Sequence, residues 1–310
     1  MVRLSQQTTE SSMHRILFPL ALSALALEEK LRERAFTRHT YRHTTLGFLE
    51  DIKAMPGYYD YSLGFFDRFY RPDNAIAIVV GDVAPERAFA VVGRQFGDWK
   101  PGYTPPKIEP EPPQTERRSA HIEWPNPTRP YLMLGYHTPA FSTETVDFPV
   151  LDVISELLFS EAAPLYQEVV IRQQWADFIS GGAEDHRDAY LFTIAARMQS
   201  DAALTKVREA VETHMNRLKT EPVDPARLAR IVSHLRYRFA LTLDTPDAIA
   251  DRVSHYVALT GSVRTINDLF ERYRAITPAD VQRVAQQTFR PANETAVTLS
   301  QGPQSAPASR

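Results

Sequence analysis

The stretch "KPGYTPPKIEPEPPQTERR", residues 100–118, holds six prolines and almost no aliphatic side chains. Each proline fixes φ at about −65° and removes a backbone donor, so the stretch offers neither ladder hydrogen bonds nor a face to bury. It reads as an extended, semi-rigid linker. It divides the chain into residues 1–99 and 119–302, with a tail at 303–310 whose composition suits disorder. At ~150 residues per domain, 310 residues fit two domains better than one.

Hydrophobic patterning on both sides of the linker gives an α+β rhythm. Before it, Leu27, Leu31 and Ala35 form one helical stripe. A short helix follows, then a break at Pro56-Gly57, then an aromatic-faced helix that ends before Pro72. "NAIAIVVGDV", 74–83, is a β-branched run closed by Gly81-Asp82 and predicts a strand, and Pro85 opens another helix. After the linker, "SAHIEW", "RPYLMLGYHTPA", "DAYLFTIAARM" and "NETAVTLSQG" predict strands. The remainder predicts helices, several entered through a proline in the first turn. "RFYRPDNAIAIVVGD" (68–82) and "QTFRPANETAVTLSQG" (287–302) repeat one order: helix end, aromatic-Arg-Pro-x-Asn, strand, polar turn. Two copies of one α+β unit on either side of the linker account for that order.

Composition removes several function classes. A formal charge of −3 with scattered Lys and Arg gives no reason to expect nucleic acid. The chain has no cysteine, so disulfides, thiolate metal sites and cysteine nucleophiles are excluded. No G-x-S-x-G, Walker loop or dinucleotide fingerprint occurs. "MHRILFPLALSALALEEK", 13–30, has a basic start, a short apolar run and Ala24-Leu25-Ala26, which is the grammar of a signal peptide. The run is too short to span a membrane. Residues 1–26 are therefore read as signal-like or foreign to the domain, or else as the start of a buried helix running into "EEKLRERAF". Periplasmic or secreted localisation is slightly favoured over the cytoplasm.

"HTYRHTTLGFLEDIKAMPGYYDYSLGFFDRFYRPDNAIAIVVGDVAPE" strongly resembles the insulinase/pitrilysin family of zinc peptidases, at the end of that family's metal-bearing first domain. "YLMLGYHTPAFSTETVDFPVLDVISELLFSEAAPLYQEVV" resembles the opening of its second domain. The resemblance implies duplicated metallopeptidase-half domains, each a mixed β-sheet with helices packed on one face. It makes residues 1–99 an incomplete first domain and 119–302 a complete second one. Two such halves in the family close as a clamshell around an unfolded peptide.

Chemistry in this family needs an H-x-x-E-H motif, whose histidines bind Zn²⁺ and whose glutamate is the general base, plus a distant glutamate ligand. No H-x-x-E-H occurs in the 310 residues. His39 and His43 are four apart, the spacing of helical zinc ligands, but Arg42 stands where the base should be and would repel the metal. The pair is read as a decoy in a structural turn. The family's second signature is an arginine with a tyrosine seven residues on, which hold the substrate carbonyl. Those positions fall on Val170 and Asp177, and Arg172 is two residues out of register. No catalytic, cofactor-binding or metal-ligating role is assigned to any residue.

Weaker groupings are given ordinary roles. Glu184, Asp185, His186 and Asp188 follow a Gly pair and suit a solvated turn better than a cation site. His121 and Glu123 share a strand face and are spaced for a mutual hydrogen bond. His214, His234 and His255 lie on separate helices as hydrogen-bonded helix residues. The chain is thus expected to be a peptide-binding, chamber-forming part of a zinc metallopeptidase, inactive alone. Zinc belongs to the family and not to this chain. The expected partners are a chain or N-terminal segment bearing H-x-x-E-H, or a homo-oligomer, and a peptide substrate. A non-enzymatic scaffold subunit of the same fold and a truncated peptidase are the alternatives.

Overall fold

Period-two alternation in Tyr131–His137 sends Leu132, Leu134 and Tyr136 to one side and Tyr131 and Met133 to the other. Both sets are covered, and this two-sided burial organises the whole second unit. The computed structural model describes residues 22–302. Expectations for residues 1–21 and for the tail at 303–310 lie outside the described residues.

The sheet has five strands: β1 (Arg118–Trp124), β2 (Tyr131–His137), β3 (Ala176–Ala183), β4 (Leu191–Met198) and β5 (Glu294–Gln301), in the order β1-β5-β2-β4-β3. β1 runs parallel to β5 and the other pairings are antiparallel, so the sheet is mixed, as expected. One face packs against α5 (Asp147–Phe159), α7 (Ala203–Thr220) and α11 (Pro278–Thr288). There, Leu132, Leu134, Phe192 and Ile194 meet Val150, Ile154, Val207 and Val284. α8 (Pro225–Leu241), α9 (Pro246–Thr260) and α10 (Thr265–Ala275) extend this helical layer. Proline opens α8, α9 and α11, where a missing N–H costs nothing. Asp224, Thr245 and Thr277 cap the free donors beside those prolines.

A helix over residues 22–35, α1, covers the opposite face. Leu27, Leu31, Ala35 and Phe36 bury against Tyr190, Leu191, Val297 and Leu299. Gly135 permits the approach, because a Cβ there would stand 3.2 Å from Leu31 Cδ1 and from Leu191 Cδ1. Residues 22–26 belong to this helix, continuous with the stripe at 27–35.

Between α1 and the linker the chain forms α2 (Leu49–Ala54), α3 (Tyr59–Phe69) and α4 (Pro85–Phe96), none with a buried residue. The strand predicted at 74–83 does not form: residues 75–80 pair with no described strand. β-Branched side chains favour extended backbone, but a strand needs a neighbour to take its hydrogen bonds. Residues 100–117 carry no regular secondary structure, yet they are pinned. Gln114 is buried and donates to the carbonyl of Glu294 at 2.8 Å.

Candidate functional site

The histidine turn resolves first. His39 caps a short 3₁₀ turn (Thr40–Arg42), its Nδ1 accepting the backbone N–H of Tyr41 at 3.0 Å. Its ring is buried, with Nε2 3.4 Å from Asp188. His43 Nδ1 lies 2.8 Å from the Thr44 carbonyl on an exposed ring. The two imidazoles serve different partners. Among the described residues no group of three or more His, Asp or Glu side chains is placed to hold a metal ion. His39 and His43 therefore do not converge as a ligand pair.

Positions aligned with the carbonyl-holding pair are also occupied by structural contacts. α6 (Pro164–Tyr166) leads into a π-helical turn (Gln167–Arg172), where Val170 packs on the core. His214 of α7 ties this turn down through Glu168 at 2.9 Å. Asp177 of β3 accepts from Arg197 Nε at 2.9 Å and also pairs with Arg129. Arg172 is exposed on the same turn.

Residues 184–188 disperse rather than converge. Asp185 meets His255 of α9 at 3.1 Å, His186 meets Glu184 at 3.2 Å, and Asp188 faces His39. His121 does not bond Glu123; its Nδ1 lies 2.8 Å from Thr298 Oγ1 on β5, the neighbour that parallel pairing puts beside it. His234 is exposed on α8.

Two surfaces remain that could hold another chain. β3 closes one side of the sheet and, among the described residues, pairs with β4 alone. Gly181 sits against the Phe159 ring, where a Cβ would collide with the ring carbons, and its carbonyl accepts from Ser155 Oγ. Glycine at 181 therefore lets β3 lie flat on α5. The second surface is the segment at 46–99, where Tyr59, Phe66, Ile76, Phe89 and Trp99 are exposed. A soluble surface rarely leaves so many large apolar side chains in one segment uncovered.

The mixed sheet, its helical layer and the sequence together define a metallopeptidase-type α+β half. The chain belongs to the peptidase M16 inactive domain family, which matches residues 59–235. It is 24% identical over 280 residues to the zinc protease PqqE of Helicobacter pylori, covering 86% of this chain and 60% of that protein. A crystal structure of a protease from Helicobacter pylori superposes with a TM-score of 0.81 at 24% identity, over 89% of this chain and 66% of that one. The peptidase M16 inactive domain from Pseudomonas fluorescens gives 0.75 at 16% identity, over 96% and 72%. The chain thus spans about 60% of the length of its curated relative.

Proposed function

We propose that this chain is the peptide-binding, chamber-forming part of an M16 zinc peptidase, without activity alone and completed by a chain or segment that bears H-x-x-E-H. The observation that carries this reading is the uncovered segment at 46–99. Its helices α2, α3 and α4 bury none of their residues, and residues 75–80 leave backbone donors and acceptors without a strand. Such a segment gains most from a partner sheet. In this reading residues 1–99 are the incomplete first domain, 100–118 the linker and 119–302 the second domain. The outer edge of β3, unpaired among the described residues, supports peptide binding, since an extended peptide adds to a sheet edge chiefly through its backbone.

Sedimentation of this chain with an M16 chain carrying H-x-x-E-H tests the reading. A 1:1 complex is expected, lost when Phe66 and Phe89 are both changed to Asp. Self-association into a homo-oligomer that excludes the zinc-bearing chain would contradict it.

A further inference from the structure

A cleft opens between α8 and α10 on the helical layer. It has a volume of about 530 Å³, within the range of roughly 300–1,000 Å³ typical of small-molecule pockets. α8 presents Ser233, Arg236 and Tyr237 to it, and α10 presents Asn267, Phe270, Glu271 and Arg274. Each set follows the i, i+3, i+4 spacing of one helix face. Glu271, the carboxylate of this lining, is paired with Arg274. Asp268, the other carboxylate of α10, does not line the cleft. Arg236 has neither ion pair nor hydrogen bond among the described residues. Its guanidinium lies over the Phe270 ring at 5.7 Å, and its Nε is buried without a hydrogen-bond partner. Two guanidinium groups against one carboxylate leave the lining one positive charge in excess, and that charge is on Arg236.

We propose that this cleft binds a carboxylate attached to an aromatic ring, with Arg236 as its cationic partner. A guanidinium compensated only by a ring face lacks a counter-ion, and its planar fork matches the two oxygens of a carboxylate. One excess charge suits a monoanion. A phosphate dianion would have to detach Glu271 from Arg274 to gain a second cation. The Ser233 hydroxyl and the Asn267 amide make no hydrogen bond among the described residues and stand as further donors. Tyr237 is 64% exposed and meets no other described ring, so its face is free for the ring of the ligand. The same chemistry is carried by a small aromatic acid and by the C-terminal carboxylate of a peptide that ends in an aromatic residue. The site is separate from the β3 edge and does not depend on the peptidase reading.

Three substitutions separate binding from a structural role. Arg236→Gln removes both charge and fork and should weaken carboxylate binding on the order of tenfold. Arg236→Lys keeps the charge but loses the fork, so it should restore only part of the affinity. Glu271→Gln lies at an exposed position on the cleft wall. It removes a like charge and releases Arg274, so it should tighten binding.

The test is ¹H–¹⁵N NMR titration of the full chain and these variants with phenylacetate, N-acetyl-phenylalanine, phenylacetamide and phenyl phosphate. At least one of the two carboxylates should give saturable shifts at residues 233–240 and 267–274. Tighter binding of phenylacetate would point to a small aromatic acid, and tighter binding of N-acetyl-phenylalanine to a peptide C-terminus. Equal binding of the neutral amide, or tighter binding of phenyl phosphate than of either carboxylate, would overturn the proposal. So would undiminished binding in Arg236→Gln, weaker binding in Glu271→Gln, or no saturable shift with either carboxylate.

Discussion

The Glu111 carboxylate accepts the backbone N–H of Thr37, with its two oxygens at 2.8 and 2.9 Å. It also takes the Thr37 hydroxyl at 2.7 Å and the N–H groups of Arg38 and His39 at 2.8 and 3.1 Å. One carboxylate of the proline-rich linker thus closes a nest of three successive donors where the chain leaves α1. Trypsin should cut early after Lys107, on the exposed side of this clamp, and the two products should elute together because α1 stays packed on the sheet. Glu111→Ala should weaken that association, costing about 1–3 kcal/mol for the lost charge-assisted bonds. Release of a free N-terminal product from the unmodified protein would contradict the clamp.

Acid should loosen the same contact. Burial pushes Glu111 up, but the N–H groups of Arg38 and His39 and the Thr37 hydroxyl outweigh it and hold the carboxyl below its ordinary value of 4.5. A depressed carboxylate contributes stability that is present above its unfolded value and is lost as pH falls through the folded one. Hydrogen exchange at Thr37, Arg38 and His39 should therefore accelerate below about pH 4.5 relative to the sheet amides. Unchanged relative protection would remove Glu111 from the account.

Asp152 should act with the opposite sign. Its folded value is raised to about 7 from 3.8, so its contribution is full below about 4 and is lost as pH rises through 7. Urea unfolding of the Asp152→Asn variant should converge with the unmodified protein at low pH. Above pH 7 the variant should be more stable, by an amount on the order of a few kcal/mol. A difference constant with pH would show that Asp152 is not enclosed as described.

Packing of α1 on the sheet should appear as coupling between two positions. Leu31→Ala should cost about 2–5 kcal/mol as a buried leucine deletion. Gly135→Ala should cost about 1–3 kcal/mol, because the new methyl stands 3.2 Å from Leu31 Cδ1. Together they should cost less than their sum, since Leu31→Ala opens the space that the added methyl needs. Strict additivity in thermal unfolding would mean that α1 does not lie against β2.

Much of the second unit was legible in the sequence because its strands and helices carry their own periodicity. β1, β2, β4 and β5 coincide with the alternating runs, and the proline-opened helices begin where proline predicts. β3 was missed: at an edge with Phe178 exposed and a Gly pair inside, it has no clean alternation. The strand at 74–83 failed for the reverse reason, since local propensity was strong and the neighbour was missing. That residues 39–43 form a turn and not a ligand-bearing helix was readable in the Thr-rich, aromatic stretch before Gly47. Asp152 was not, because a single aspartate in "FPVLDVISELLF" says nothing until Tyr273 and Asp185 are brought beside it from 121 and 33 residues away. Glu111 was hidden likewise, 74 residues from the donors it closes.

Peptide hydrolysis measured with and without a partner tests the central claim most directly. The isolated chain, with or without added Zn²⁺, should cleave an unstructured fluorogenic peptide no faster than buffer and should retain no stoichiometric zinc after dialysis. Mixed with an M16 chain carrying H-x-x-E-H, it should raise that chain's turnover or change its peptide preference, and Phe66→Asp with Phe89→Asp should abolish the effect. Chelator-sensitive cleavage by the isolated chain, lost in His39→Ala, would contradict the account.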